Sequence, residues 1–154
     1  GEFAFYEFED LVDVVFSDNV TQIKANAFNT CTNMTSVTLS NYLETIGTQA
    51  FYLSGLTSVD IPDSVTTIGD ECLYMSSVTY VEFGTGVQTL GKRILTVFDA
   101  VLNFKSTTPP TKDSSSLPSG NDLKIYVPDN SVYDYQVAWP EYANNIKPVS
   151  QMPS

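Results

Sequence analysis

Two cysteines, Cys31 and Cys72, are the residues best suited to nucleophilic chemistry, and neither has the base that such chemistry needs. A thiol becomes a nucleophile when a neighbouring base or cation favours the thiolate, and the chain contains no histidine. That absence also removes histidine triads, histidine metal sites and most acid–base catalysis near neutral pH. Carboxylates offer another route, through the pairs Asp10 and Asp13, Asp70 and Glu71, or Asp60 and Glu82. A glycosidase needs two acids with opposed pKa values across a cleft, and nothing beyond residue type supports one here. The sequence has no Asp-x-Asp-x-Asp-Gly calcium loop. No catalytic residue, metal ligand or cofactor is therefore assigned, and the chain is expected not to be an enzyme.

Charge narrows the partners. The net charge is −11, and it is lopsided. Residues 1–75 carry 11 acidic side chains against Lys24 alone, a net of −10; residues 76–154 carry 7 against 6, a net of −1. Such a first half repels phosphate backbones and anionic lipid, so nucleic acid is not an expected partner. No run of 18 apolar residues exists, so direct membrane insertion is not expected either.

The elements that must position any site come from an internal repeat. Val20, Leu43, Val65 and Val87 follow one another at steps of 23, 22 and 22 residues. Three positions later stand Ile23, Ile46, Ile68 and Leu90; five after those stand Phe28, Phe51, Leu73 and Leu95. Each unit closes with apolar residues spaced three and then two, as in Met34/Val37/Leu39, Leu56/Val59/Ile61 and Val78/Val81/Phe83. The Val-x-x-Ile piece and the alternating Leu-x-x-Val-x-Leu piece both have strand character. Between them, Ala-Phe with polar neighbours is too short for an isolated helix, and one helical or 3₁₀ turn is expected to insert the aromatic into the stack. One unit cannot bury its apolar face, whereas stacked units share a continuous core.

Residues 1–19 supply a partial first unit, and Gly1-Glu-Phe-Ala4-Phe5 aligns with Gly47-Thr-Gln-Ala50-Phe51, so the chain is expected to be cut from a longer precursor. A degenerate unit ends near Phe104. This divides the chain into a repeat array over residues 1–104 and a closing segment over 105–154. From Lys105 to Asp122 the chain is polar and Pro/Ser-rich, an irregular excursion. Leu123 to Val127 alternates as one more strand, and Asp129-Asn-Ser131 is expected to cap a short helix through about Trp139. Val132, Tyr135 and Trp139 share a helical face, suited to covering the last repeat. The alternative for these aromatics is a carbohydrate platform built on Trp139 and Tyr142.

Cys31 lies three after its Phe, Cys72 lies one before its Leu, and they are two repeats apart. Strands stack about 4.8 Å apart, so two steps exceed the roughly 7 Å Cα limit of a disulfide, and both are expected to be buried free thiols. What the stack offers is a surface. On the longer strand, residues between the buried ones point outward: Thr35, Ser36 and Thr38, then Thr57, Ser58 and Asp60, then Thr79, Tyr80 and Glu82. Solenoids bind along such rows, and Tyr80 is the best single anchor.

The pattern Val-x-x-Ile-x-x-x-Ala-Phe-x-x-Cys-x-x-Met-x-x-Val-x-Leu of residues 20–39, with Ile46-Gly47, Ala50-Phe51 and Ile61-Pro62, resembles the BspA-like (Treponema pallidum-type) leucine-rich repeat. The likeness covers residues 1–104, and the Ile125-Tyr-Val127-Pro to Pro148 stretch is similar to the closing segment of such proteins. It implies a right-handed leucine-rich repeat solenoid of short parallel strands, closed by a cap of one strand and one short helix. It further implies a secreted or surface-anchored bacterial protein that binds or adheres to a host or bacterial surface protein. The acidic first half favours a basic partner. A carbohydrate-binding domain or a spacer that displays other domains are the competing readings.

Overall fold

The structure, a computed structural model, describes residues 1–154. Each repeat contributes one coil with a longer and a shorter strand, and every strand pairing is parallel. The short strands β2 (Gln22–Ile23), β4 (Thr45–Ile46), β6 (Thr67–Ile68) and β8 (Thr89–Leu90) form one four-stranded sheet in that order. The longer strands are β1 (Asp13–Val15), β3 (Ser36–Thr38), β5 (Ser58–Ile61), β7 (Tyr80–Phe83) and β9 (Val101–Phe104), followed by β10 (Lys124–Val127) and β11 (Ile146–Pro148). The register is that of the repeat: Val59 faces Val81, which faces Leu102.

The row of longer strands has one interruption. β1 pairs only with β3, while β5, β7, β9, β10 and β11 form a separate five-stranded sheet. The break coincides with a change in coil length. Six residues separate Phe5 from Leu11 and Phe28 from Met34, but five separate Phe51 from Leu56 and Leu73 from Val78. The shorter loop turns at Gly55, where an added Cβ would lie 2.4 Å from the Thr32 carbonyl oxygen. Removing one residue before the strand shifts it against its predecessor, so Val37 and Val59 are neighbours without a shared ladder.

The Ala-Phe segment bonds in two directions at once. Ala27 and Asn29 donate to the carbonyls three residues back, as in a 3₁₀ turn, but Asn26, Phe28 and Thr30 donate to Thr48, Ala50 and Tyr52 of the next coil. Alternate N–H groups thus continue the ladder through the turn. The geometry requires left-handed backbone at Asn26, Thr30, Gln49, Leu53, Glu71, Met75 and Arg93. The aromatics it inserts stack face to face, Phe5 on Phe28 at 5.1 Å and Phe28 on Phe51 at 5.4 Å.

The polar excursion continues this ladder. Thr111 bridges to Thr89, and Arg93 and Ile94 donate to the Ser115 and Ser116 carbonyls. After it come two strands, β10 and β11, where one was expected, and the helix α1 (Val132–Ala138) preceded by a 3₁₀ turn over Asp129–Ser131. Neither start carries a side-chain cap; Asp129 instead accepts from the Ser150 N–H at 3.0 Å. Cys31 and Cys72 are unpaired and buried, and burial pushes the Cys72 thiol up to about 12.

Candidate binding face

On the five-stranded sheet the outward rows are set by the pleat. One row runs Ser58, Tyr80, Val101, Lys124, and the next runs Asp60, Glu82, Asn103, Tyr126, Lys147, with Asn103 and Tyr126 covered by their surroundings. Thr57 and Thr79 lie just before their strands, exposed, with the Thr79 N–H bonded to the Thr57 carbonyl at 2.8 Å. Thr35, Ser36 and Thr38 are equally exposed but sit on the separate β1–β3 sheet, where Ser36 donates to Asp13. The nine residues read from the sequence therefore fall into two groups. A groove of about 380 Å³ lies at the break, lined by Val37–Leu39 and Asn41 on one side and Asp60–Asp63, Glu82 and Lys105 on the other.

Tyr80 is half-buried rather than fully outward. Its hydroxyl donates to Glu82 Oε2 at 3.2 Å, Asn103 Nδ2 donates to the same oxygen at 3.3 Å, and Lys105 forms an ion pair with Glu82. Partial desolvation raises the Tyr80 phenol pKa, while the hydrogen bond and charge of Lys105 hold the Glu82 carboxyl below its usual range. Asp60 and Glu82 do stand side by side, as their spacing requires. A general acid needs a raised pKa, and that of Glu82 is shifted the other way. Asn103 and Lys105 were legible as a continuation of the row, since Val101-Leu-Asn-Phe104 alternates like its predecessors.

A second polar line was missed by sequence reading. Asn26, Gln49, Glu71 and Arg93 occupy one position of successive coils. Asn29 Nδ2 donates to Gln49 Oε1 at 3.5 Å, Gln49 Nε2 donates to Glu71 Oε2 at 2.6 Å, and Arg93 pairs with Glu71. The Gln49 hydrogen bond, then Arg93, lower the Glu71 pKa. Because the folded-state pKa is depressed, this ladder adds stability above the ordinary value of 4.5 and loses it as pH falls through the folded value. The stability gap between wild type and Glu71→Gln should therefore be full at neutral pH and close on acidification below 4.5, read by urea melts across pH. A gap unchanged down to about pH 3 would contradict it.

The carbohydrate platform does not exist at the closing segment. Trp139 and Tyr142 are 2% and 3% exposed, part of the core rather than of the surface. Trp139 Nε1 donates to the Pro110 carbonyl at 3.3 Å and the Tyr142 hydroxyl to the Leu117 carbonyl at 2.9 Å. The Lys112 ammonium lies over both rings, 5.6 Å from Trp139 and 4.9 Å from Tyr142, and pairs with Glu141. These contacts tie the excursion to the cap.

Comparison with known proteins agrees with this architecture. The sequence profile of the BspA type leucine rich repeat region matches six copies over residues 1–112. No curated protein matches the chain. Among solved structures, the pneumococcal vaccine antigen PcpA superposes with a TM-score of 0.78 at 19% identity, over 96% of this chain and 36% of that one. A leucine-rich repeat protein from Bacteroides ovatus gives 0.58 at 24% identity, over 86% of this chain and 37% of that one. These likenesses show the fold, and the chain spans little more than a third of either neighbour's length. With a repeat profile covering well over half its residues, the chain belongs to the BspA-type leucine-rich repeat family.

Proposed function

We propose that the chain is a non-enzymatic protein-binding or adhesion module displayed on the bacterial exterior. Its recognition surface is the outer face of the five-stranded sheet around Tyr80. The observation that carries this reading is the row Ser58–Tyr80 beside Asp60–Glu82 on an open parallel sheet, bordered by the groove at the sheet break. A half-buried tyrosine fixed by a carboxylate is a pre-ordered contact, and rigid aromatic anchors bind at low entropic cost. Thr57, Thr79 and Ser58 frame it with exposed hydroxyls. Thr38 lines the far side of the groove, and with the exposed Thr35 and Ser36 before it contacts a partner long enough to cross the break.

The partner is a surface protein of host or bacterial origin with a basic patch. Exposed carboxylates crowd the first coils, and they steer a basic partner over roughly 8–10 Å at ordinary ionic strength. Kinetic binding measurements against bacterial and host surface proteins test this. With a partner in hand, the association rate should fall as salt rises while dissociation changes less. Tyr80→Ala, in a chain that keeps its fold, should speed dissociation about tenfold, as loss of a central aromatic anchor does. Kinetics indifferent to both salt and Tyr80→Ala would place recognition elsewhere.

A further inference from the structure

Phe98 is 63% exposed, more than any other phenylalanine of the chain. It follows Ile94-Leu95, the Ala-Phe place of its coil, and the two coils before it are apolar along the same edge. Tyr52 and Tyr74, both half-buried, stack at 6.1 Å, and next to them in sequence stand Leu53 and the exposed Met75. Leu53 and Met75 hold left-handed backbone, at φ 51° and 60°, which Gly, Asn and Asp adopt more readily. Neither side chain belongs to the hydrophobic core. Core packing therefore does not account for large apolar residues at these two strained positions. An exposed apolar strip of this kind marks a contact surface.

The strip ends in a cavity of about 410 Å³, within the size range of ligand sites. Buried Leu95, Leu117 and Pro118 form its floor, and Tyr74, Arg93 and Phe98 stand around them. None of these residues lies on the sheet that carries Tyr80. The Arg93 guanidinium lies over the Tyr74 ring at 5.7 Å and uses Nη2 for Glu71, while its other N–H groups are unbonded. Lys92 beside it is exposed and forms no ion pair. Residues 1–104 hold three bases, Lys24, Lys92 and Arg93, so two of the three stand at this one place.

We propose that the cavity and its strip bind a peptide segment in which a large apolar side chain stands next to a carboxylate. The apolar side chain lies on Leu95, Leu117 and Pro118 beside the Phe98 ring, and the carboxylate meets the free N–H groups of Arg93 and the Lys92 ammonium. Tyr52, Leu53 and Met75 receive the apolar residues that continue the segment. Charge selects this occupant over a second copy of the chain. Copies meeting about a two-fold axis would set Lys92 and Arg93 against their own images. The site is separate from the Tyr80 face and takes a partner of opposite charge.

The test titrates three peptides against the chain and reads amide shifts by NMR at Phe98, Ser119 and Tyr80. Ac-Asp-Phe-Asp-NH2 should shift Phe98 and Ser119 in the millimolar range expected of so small a ligand, leaving Tyr80 in place. Ac-Lys-Phe-Lys-NH2 should bind about threefold more weakly, and Ac-Asp-Ala-Asp-NH2 should not bind. Phe98→Ser, a change at an exposed side chain, should weaken the first peptide about fivefold. Lys92→Gln combined with Arg93→Gln, which keeps a donor for Glu71, should remove the preference for aspartate over lysine. Absence of shifts at Phe98 and Ser119, equal shifts from the alanine peptide, or a lysine peptide that binds as tightly overturns the proposal. So does binding that both variants leave unchanged. Sedimentation of the chain as a dimer that Phe98→Ser dissolves also overturns it, assigning the strip to a second copy.

Discussion

Trp139→Ala should destabilise the chain by about 3–5 kcal/mol, the range for removing a large buried aromatic. The indole sits where the last coil would otherwise open to water. It meets Phe104 edge-on at 5.2 Å and Tyr135 at 5.0 Å, while Phe104 stacks on Phe83 at 4.2 Å. Truncation exposes that stack, leaves the Pro110 carbonyl without its donor, and removes one of two rings over the Lys112 ammonium. An ammonium whose side chain is 4% exposed tolerates such losses poorly, although Glu141 remains. A chain of this size shifts its melting temperature by roughly 2–4 °C per kcal/mol, so a fall near 10 °C is expected by calorimetry. Trp139→Phe should recover part of it, keeping the apolar contact but not the hydrogen bond. A loss under about 1 kcal/mol would mean that the indole does not close the core.

That closing role was readable from the helical spacing of Val132, Tyr135 and Trp139, and so was nearly all of the array. Ile23, Phe28, Met34 and their successors announce themselves because a stack needs the same apolar residue at the same height in every coil. What escaped reading was carried by backbone. Thr111, Ser115 and Ser116 extend the ladder through N–H and C=O groups that any residue supplies, so a Pro- and Ser-rich composition hid a coil. The sheet break was present as the step from 23 to 22, but its effect on pairing depends on where the missing residue falls. On the candidate face, periodicity placed Tyr80 and Glu82 in neighbouring rows of the sheet. It did not find that Glu82 binds Tyr80, Asn103 and Lys105 together, because side-chain convergence has no period.

Gly69→Ala should cost about 3 kcal/mol, at the upper end of what overpacking usually does, although it adds a single methyl group. Gly47, Gly69 and Gly91 form a column directly after the short-strand residues Ile46, Ile68 and Leu90. A Cβ on Gly69 would lie 2.5 Å from the Thr48 nitrogen and 2.6 Å from the Gly47 carbonyl carbon, where ordinary contact begins at 3.4 Å. Both are backbone atoms, so no side chain can swing aside. The coil cannot lift away cheaply either, since the Gly69 N–H holds the Ile46 carbonyl at 2.8 Å and the Gly91 N–H holds the Ile68 carbonyl at 2.8 Å. In a solenoid, coupling runs between nearest neighbours, so the damage should concentrate at the junction of the two coils. Hydrogen exchange should speed at Gln49 and Phe51, which donate across that junction to Asp70 and Cys72, more than at Ile125 near the cap. Gly1→Ala, with nothing within 4 Å of its added carbon, is the matched control and should leave stability unchanged. If Gly69→Ala stays within about 0.5 kcal/mol of wild type, as an ordinary surface substitution would, close approach of the coils is not what holds this position to glycine.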